Sequence, residues 1–361
     1  MRIAQSFLLA SSLLATSAFV ARAEINVVAS IKPVHSLVAA VMEGVDQPSL
    51  LVEGAGSPHT YVMKPSQAAM LEGADLVFWI GPQIESFLEK PLETLPANAR
   101  TVELLDAHGL LKMELREGGA FEAHAHEDEH GHDEHDHAEH GHAEHGDHDS
   151  EHEQEAKAAH DHDHDHEEEH DHGEKEEHAE SDHDHGHGEF DAHVWLDPVN
   201  AKVLVQEIEE ALADVDPANA AAYEANAKAV MARLDALTAE TTASLQPVKD
   251  KGFIVFHDAY QNFEHRFGLT ALGAITVSPE VMPGAARVSE LRAKVQELDA
   301  TCVFSEPQFE PKLVATITEG TSAKSGVLDP LGASLQDGPD LYFNLIRDMA
   351  ASFRDCLSEA S

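Results

Sequence analysis

Basic residues are scarce in this sequence. Its 361 residues contain 23 Lys and Arg against 67 Asp and Glu, which gives a formal net charge of −44 with histidine neutral. A chain of this charge is repelled by the phosphates of nucleic acids and by anionic membrane surfaces. We therefore exclude nucleic acid as a partner and expect a cationic ligand.

Long apolar runs are also missing. No stretch approaches the roughly 20 apolar residues that a transmembrane helix requires, so we expect no stable membrane insertion. A short apolar run at residues 7–14 follows Arg2 and precedes the sequence Ala21-Arg22-Ala23. This pattern predicts a signal peptide over residues 1–23, cleaved after Ala23. Because no lipid-attachment cysteine follows it, we expect a soluble periplasmic protein.

Cysteine is nearly absent, with only Cys302 and Cys356. In an exported protein a lone pair of cysteines favours a structural disulfide over a metal-binding pair. By loop-closure entropy, a disulfide across a ~54-residue loop stabilises the fold by about 4 kcal/mol. We expect it to join the C-terminal helix to its sheet.

One segment, residues 124–187, lacks every apolar side chain larger than Ala. It holds 21 of the 27 histidines and 26 acidic residues, opposed only by Lys157 and Lys175. Such a segment cannot form a core, so we predict a disordered insertion at about residues 118–189 that binds metal weakly. We assign auxiliary weak metal sites to His124, His126, His130, His132, His160, His162, His164, His166, His183, His185 and His187.

Outside this tract, buried-strand patterns alternate with helical ones, which predicts an α/β fold. The alternation occupies residues 24–197, which include the insertion, and resumes over residues 248–361. Residues 198–247 are helical in pattern, with one long helix at about residues 217–246, roughly 40 Å in length. We predict two lobes, each a mostly parallel β-sheet flanked by helices, joined by this rigid helix.

Three histidines outside the tract lie where such a fold binds ligands. Open parallel sheets bind ligands in the crevice beyond the carboxyl ends of their strands. His59 lies in a Gly/Pro-rich loop after a strand, His257 directly follows an apolar strand, and His193 lies between the tract and a helix that Asp197-Pro198 opens. The remaining histidines, His35, His108 and His265, are interpreted as ordinary core or surface residues.

A family resemblance agrees with this choice. It is carried, in order and spacing, by the segments GAGSPHTYVMKPS, FDAHVWLDP, FHDAYQNFEHRFGL, ATCVFSEPQF and LDPLG. They resemble the metal-binding solute-binding proteins of ABC transporters, above all the periplasmic zinc-binding proteins of high-affinity zinc uptake. The resemblance covers essentially the whole mature chain. It implies a metal in the crevice between the lobes, with His59, His193 and His257 as ligands, and it supports the pairing of Cys302 with Cys356.

The fourth metal ligand is left open by the sequence. Asp329 in LDPLG matches the carboxylate that manganese-binding relatives use, but it could instead cap a turn before Pro330 while water completes the site. Glu306 and Asp258 could each orient a ligand imidazole, or only cap a loop. Three imidazoles favour zinc over manganese, which prefers oxygen ligands.

The main hypothesis is a monomeric periplasmic receptor, without enzymatic activity. It captures Zn²⁺ with high affinity and delivers it to an inner-membrane ABC permease with a cytoplasmic ATPase. The tract would act as a low-affinity store or sensor of zinc. Alternatively it is a tolerated insertion, since lengthening a loop from ten to seventy residues costs only about 1.7 kcal/mol. Other possibilities are a manganese or iron receptor of the same fold, and a zinc hydrolase or hydratase that uses the three histidines.

Overall fold

The computed structural model of the chain describes residues 25–95, 99–116, 121, 190–276, 283–298, 300–309 and 312–358. The expected signal peptide, the His-rich tract and the weak sites assigned to it lie outside the described residues. All described residues belong to one compact unit.

The first lobe is built on a four-stranded parallel sheet in the order β2-β1-β3-β4. Every residue of β1 and β3 is buried. Such continuous apolar burial is typical of strands that helices cover on both faces. The elements are β1 (Val27–Ala29), α1 (Lys32–Val41), β2 (Ser49–Leu50), α2 (Pro65–Glu72), β3 (Leu76–Trp79), α3 (Glu89–Thr94) and β4 (Arg100–Glu103).

The second lobe repeats this design, with a parallel sheet in the order β6-β5-β7-β8. Its central strand β5 is buried along its whole length and ends at His257. The elements are β5 (Phe253–His257), α6 (Gln261–Phe267), β6 (Ala271–Thr276), α7 (Ala285–Glu297), β7 (Cys302–Ser305), α8 (Lys312–Thr318), β8 (Lys324–Val327) and α9 (Leu341–Leu357). The predicted fold class, two parallel-sheet lobes flanked by helices, is confirmed.

Two helices lie between the lobes in sequence, α4 (Pro198–Val215) and α5 (Ala220–Leu245). The Asp197 carboxylate accepts the N–H of Val199 at 2.8 Å and so caps α4, as the Asp-Pro pair predicts. The 26 residues of α5 span about 39 Å. Its buried residues recur every three or four positions, so one stripe of the helix faces the core.

This stripe joins the lobes. Helix α5 packs against α1 of the first lobe and α9 of the second. The amide of Asn226 donates to the carbonyls of Val41 and Glu43 at 2.9 and 2.8 Å, while Arg347 of α9 pairs with Glu240 at 3.1 Å. One hydrophobic core runs through both lobes. The long connecting helix is therefore observed as predicted, and a shared core of this kind opposes free hinging.

The segment between β3 and α3 is not regular helix. A 3-10 turn (Ser86–Leu88) precedes the short helix α3. The buried Glu85 explains why regular helix begins only at Glu89. Its carboxylate accepts the hydroxyl of Ser30 at 2.5 Å and the N–H of Gly81 at 3.1 Å. The side chain thus holds the turn back against the sheet.

The predicted disulfide is present. Cys302 of β7 is bonded to Cys356 of α9, with 6.1 Å between their Cα atoms, so the last helix is fastened to its sheet. Beside it, Phe253, Phe304 and Phe353 pack edge to face with ring centroids 5.0–5.9 Å apart. Among the described helices, none is long and apolar enough to cross a membrane.

Candidate metal centre

Three histidines far apart in sequence meet at the carboxyl ends of the sheets. His59 lies on a 3-10 turn (Pro58–Thr60), His193 immediately precedes another (Val194–Leu196), and His257 ends β5. Each offers one ring nitrogen, and these atoms all lie within 4.8 Å of one another. In the described part of the chain, no other group of His, Cys, Asp or Glu is arranged to hold a metal ion.

The spacing of the nitrogens fits a tetrahedral zinc ion. Nε2 of His193 lies 3.3 Å from Nε2 of His59 and 3.4 Å from Nε2 of His257. Ligands at about 2.0–2.1 Å from zinc with tetrahedral angles stand roughly 3.3–3.4 Å apart. Two of the three separations therefore match the edge of a zinc coordination tetrahedron.

Glu306 positions His257. Nδ1 of His257 donates to the Glu306 carboxylate at 2.6 Å, so the lone pair of its neutral ring lies on Nε2, towards the other histidines. Burial by itself lowers the pKa of His257. The carboxylates of Glu306, Asp258 and Asp191 outweigh burial, and the net pKa is raised above 6.5. Glu306 thus accepts a hydrogen bond from the His257 imidazole, and its support of a metal ligand stays a prediction.

Asp191 positions His193 in the same way. Its carboxylate accepts Nδ1–H of His193 at 2.7 Å and the backbone N–H of that residue at 3.0 Å. The amide of Asn262 donates to the other carboxylate oxygen at 2.9 Å. Asp191 is not among the residues predicted from the sequence, although an Asp two residues before the His is placed for this local hydrogen bond.

His59 differs from the other two histidines. It lies on a surface loop, is only partly buried, and none of its described contacts is with a carboxylate. Burial of the ring, followed by repulsion from His193 and His257, holds its pKa well below 6.5. His59 is therefore neutral at pH 7 and carries a free lone pair for a metal.

The cavity at the three rings is small and has mainly apolar walls. Pro58, Trp195, Phe309 and Leu331 are among the residues that line it. Its interior volume is about 10 Å³, close to the space of one water molecule. A space of this size between three ring nitrogens suits a single small ion.

Asp329 and Asp258 lie outside the group of three. The Asp329 carboxylate accepts the backbone N–H groups of the turn that follows it, from Gly332 at 2.9 Å and Ala333 at 2.6 Å, and also the amide of Gln308 at 3.1 Å. Asp329 therefore makes the contacts of a turn cap, which is the second of the two roles that its sequence allows. Asp258 contacts no imidazole and instead pairs with Arg116.

The other described histidines lie away from the centre. His35 is buried in α1, with Nε2 3.0 Å from the carbonyl of Pro48, and His108 and His265 are exposed. These positions agree with their interpretation as ordinary core and surface residues.

Two parallel-sheet lobes bridged by a long helix, with three imidazoles gathered between them, define a solute-binding protein for a metal ion. Residues 27–356 match the family of the periplasmic zinc-uptake complex component A. The chain belongs to this family.

The chain is also similar to individual zinc-uptake proteins. The chain is 57% identical over 334 residues to the high-affinity zinc uptake system protein ZnuA of Brucella suis, covering 92% of each chain. It is 34% identical over 350 residues to the protein of the same name from Yersinia pestis, covering 97% of this chain and 96% of the relative. A crystal structure of ZnuA superimposes with a TM-score of 0.65 at 24% identity, over 92% of this chain and 99% of that one, which shows a shared fold.

Proposed function

We propose that the protein binds Zn²⁺ in the periplasm through His59, His193 and His257 and passes it to an inner-membrane ABC permease driven by a cytoplasmic ATPase. Membership in the zinc-uptake family supports the transport role. The observation that supports the ligand set is the spacing of the ring nitrogens, which matches the edge of a tetrahedral zinc site.

The chemistry of the three ligands favours zinc over manganese or iron. All three are nitrogens, whereas manganese sites favour carboxylate and carbonyl oxygens. Asp329 could supply such an oxygen, but its carboxylate is held by the turn after it. A water molecule would then take the fourth position of a zinc ion held by three nitrogens.

A three-histidine zinc hydrolase is the alternative from another class. Family membership makes the chain a transport protein and not an enzyme. Glu306, the nearest candidate base, is already hydrogen-bonded to His257 at 2.6 Å.

Capture and release follow from the rings and their supports. The buried carboxylates Asp191 and Glu306 keep the Nε2 lone pairs of their histidines directed at the ion and balance its charge. His59 closes the site from a surface loop. Because α5 and a common core join the lobes, release to the permease requires only small movements, mainly of loops. The tract would supply further weak zinc sites on the same chain, and this attachment raises the effective concentration of zinc available to the three histidines.

Zinc titration in competition with a chromophoric chelator tests this proposal. The wild-type protein should show one tight site above any weak binding, and His257→Ala should lose it. His265→Ala is the matched control, because His265 is an exposed histidine of the same lobe and should leave the tight site intact. Retention of the tight site in His257→Ala would refute the ligand assignment.

A further inference from the structure

Arg116 holds two buried carboxylates beside the metal centre. Its Nε donates to Asp258 at 3.1 Å, and its Nη1 and Nη2 donate to Glu264 at 2.8 and 3.1 Å, while Nη2 also donates to Asp258. Both carboxylate side chains are only 4% exposed. The guanidinium also lies over the ring of Phe121, 4.3 Å from its centroid.

The two carboxylates belong to the turn and helix that follow His257. Asp258 is the next residue after this ligand, and Glu264 lies in α6, where it also accepts the N–H of Ala271 at 2.7 Å. Arg116 therefore ties the end of β5, the start of β6 and helix α6 into one cluster. The position of the His257 ring depends on this turn.

Arg116 itself belongs to the segment that carries the other fixed histidine. Glu114 pairs with Phe190 in an antiparallel bridge, and the N–H of Asp191 donates to the carbonyl of Met113 at 2.8 Å. The same strand pair thus holds Arg116 on one side and Asp191, the partner of His193, on the other. The amide of Gln261 in α6 donates to the carbonyl of Glu114 at 2.9 Å and joins this pair to α6.

A second arginine completes the connection on the far side of His193. Arg266 of α6 donates to both oxygens of Asp197, at 2.6 and 2.8 Å. Helix α6 is thus linked to the segment before His193 by Arg116 and to the segment after it by Arg266. The three bidentate contacts that these two arginines make fix orientation as well as distance.

We propose that Arg116 is a positioning residue of the metal centre: by bridging Asp258 and Glu264 it sets the separation of His193 and His257. The inference rests on the proposed function, because it concerns the same three-histidine site. Arg116 touches no ligand ring and acts through the turn after His257. Its role is geometric, since its positive charge would by itself oppose binding of a cation.

The substitution Arg116→Lys separates geometry from charge. Lysine keeps the positive charge but cannot reproduce the planar fork that serves two carboxylates at once. We expect zinc affinity to fall about tenfold, at the low end of the loss seen when groups supporting metal ligands are changed. At saturating Co²⁺, the visible absorption band of a four-coordinate site should weaken or shift. The zinc-free variant should melt within a few degrees of the wild type.

Arg100→Lys is the matched control. Arg100 makes a surface ion pair with Asp214 at 2.6 Å in the first lobe, and its substitution should leave zinc affinity and the Co²⁺ spectrum unchanged. An Arg116→Lys protein with wild-type or tighter zinc binding and an unchanged Co²⁺ spectrum would overturn the inference.

A second variant covers the case in which Arg116→Lys fails to fold. Glu264→Gln weakens one half of the bridge and leaves the Arg116–Asp258 pair, so it should change the Co²⁺ spectrum in the same direction with a smaller loss of affinity. Zinc binding and a Co²⁺ spectrum equal to wild type would again count against Arg116. If the wild-type protein itself shows no tight site, the proposed function fails; if only these variants behave as wild type, only the role of Arg116 fails.

Discussion

Glu306 and His257 lie 49 positions apart in sequence and are joined by a hydrogen bond of 2.6 Å between a carboxylate oxygen and Nδ1. The bond is possible because β5 and β7 are neighbours in the parallel sheet, so the residues after them meet at one edge. Asp191 and His193 repeat the relationship at 2.7 Å across only two positions. Two of the three proposed ligands are thus oriented before any metal arrives.

We expect Glu306→Gln to lower zinc affinity by about 10- to 100-fold. The amide can still accept the proton on Nδ1, but without its negative charge the imidazole becomes a weaker donor to zinc. Chelator competition measures the change. Glu319→Gln, at an exposed glutamate of the same lobe, is the control and should bind as wild type. Equal affinities for the two variants would show that the bond does not support the site.

Zinc affinity should depend on pH mainly through His257. Its raised pKa means that it holds a proton at a higher pH than a free imidazole, and zinc must displace that proton. Below this pKa, affinity should fall about tenfold per pH unit for one competing proton. His59, whose pKa is lowered by burial and by its histidine neighbours, loses its proton at a lower pH than His257 does.

The same titration with Glu306→Gln checks the cause. Glu306 is the strongest of the groups that raise the pKa of His257, so its loss should move the fall in affinity to lower pH. Isothermal calorimetry in buffers of different ionisation enthalpy would count the protons released. A pH profile identical to that of the wild type would show that a group other than His257 sets the pH dependence of zinc affinity.

Asp329→Ala should reduce stability and leave zinc binding almost unchanged. The substitution removes the acceptor for the N–H groups of Gly332 and Ala333, and such a loss costs about 1–3 kcal/mol. Denaturant unfolding of the zinc-free protein measures the cost, and chelator competition should find affinity within about threefold of wild type, less than 1 kcal/mol. A loss of tenfold or more would instead make Asp329 the fourth ligand.

Removal of the disulfide should also be a stability effect. Cys302→Ala with Cys356→Ala releases a loop of 54 positions, for which chain entropy predicts about 4 kcal/mol. Helix α9 then depends on its apolar contacts alone. We expect a lower denaturation midpoint by guanidinium titration and unchanged zinc stoichiometry. Reduced wild-type protein should behave like the double variant. If the double variant unfolds at the same guanidinium midpoint as the oxidised wild type, the disulfide contributes little to stability.

The general design of the protein could be predicted from sequence because it depends on local patterns. Buried strand runs, the Asp197-Pro198 helix start and the uninterrupted pattern of α5 each predict their own element. The three histidines could also be selected from the sequence, because each follows or precedes a recognisable element. Arg116 and Asn262 were not, because their roles depend on partners 142 and 71 positions away. Contacts between residues so far apart leave no periodic pattern in the sequence.

Asp329 is another residue whose role could not be decided from the sequence. Its segment, LDPLG, suits both a metal ligand and a turn cap, and the residue types alone do not distinguish the two roles. The direction of its carboxylate depends on the N–H groups of residues 331–333, which are offered only once the turn has formed. The identity of the residue therefore does not decide its role.

Replacing residues 122–189 by a short Gly-Ser linker should leave the tight zinc site intact. All three proposed ligands lie outside this segment, and so do Asp191, Glu306 and Arg116. The bridge between Glu114 and Phe190 already brings the two ends of the insertion together, so a linker of a few residues can close the loop.

Chelator competition should find the same single tight site, and total zinc bound at high metal concentration should fall to one ion per protein. A variant of full length, with the tract histidines changed to serine, is the control that separates loss of ligands from shortening of the chain; it should match the deletion. Zinc uptake from a limiting supply then tests the tract itself. Because a local store raises the effective concentration of zinc near the centre, loading of both variants should be slower than wild type. Loss of the tight site in either variant would place a ligand within the tract and overturn the three-histidine assignment.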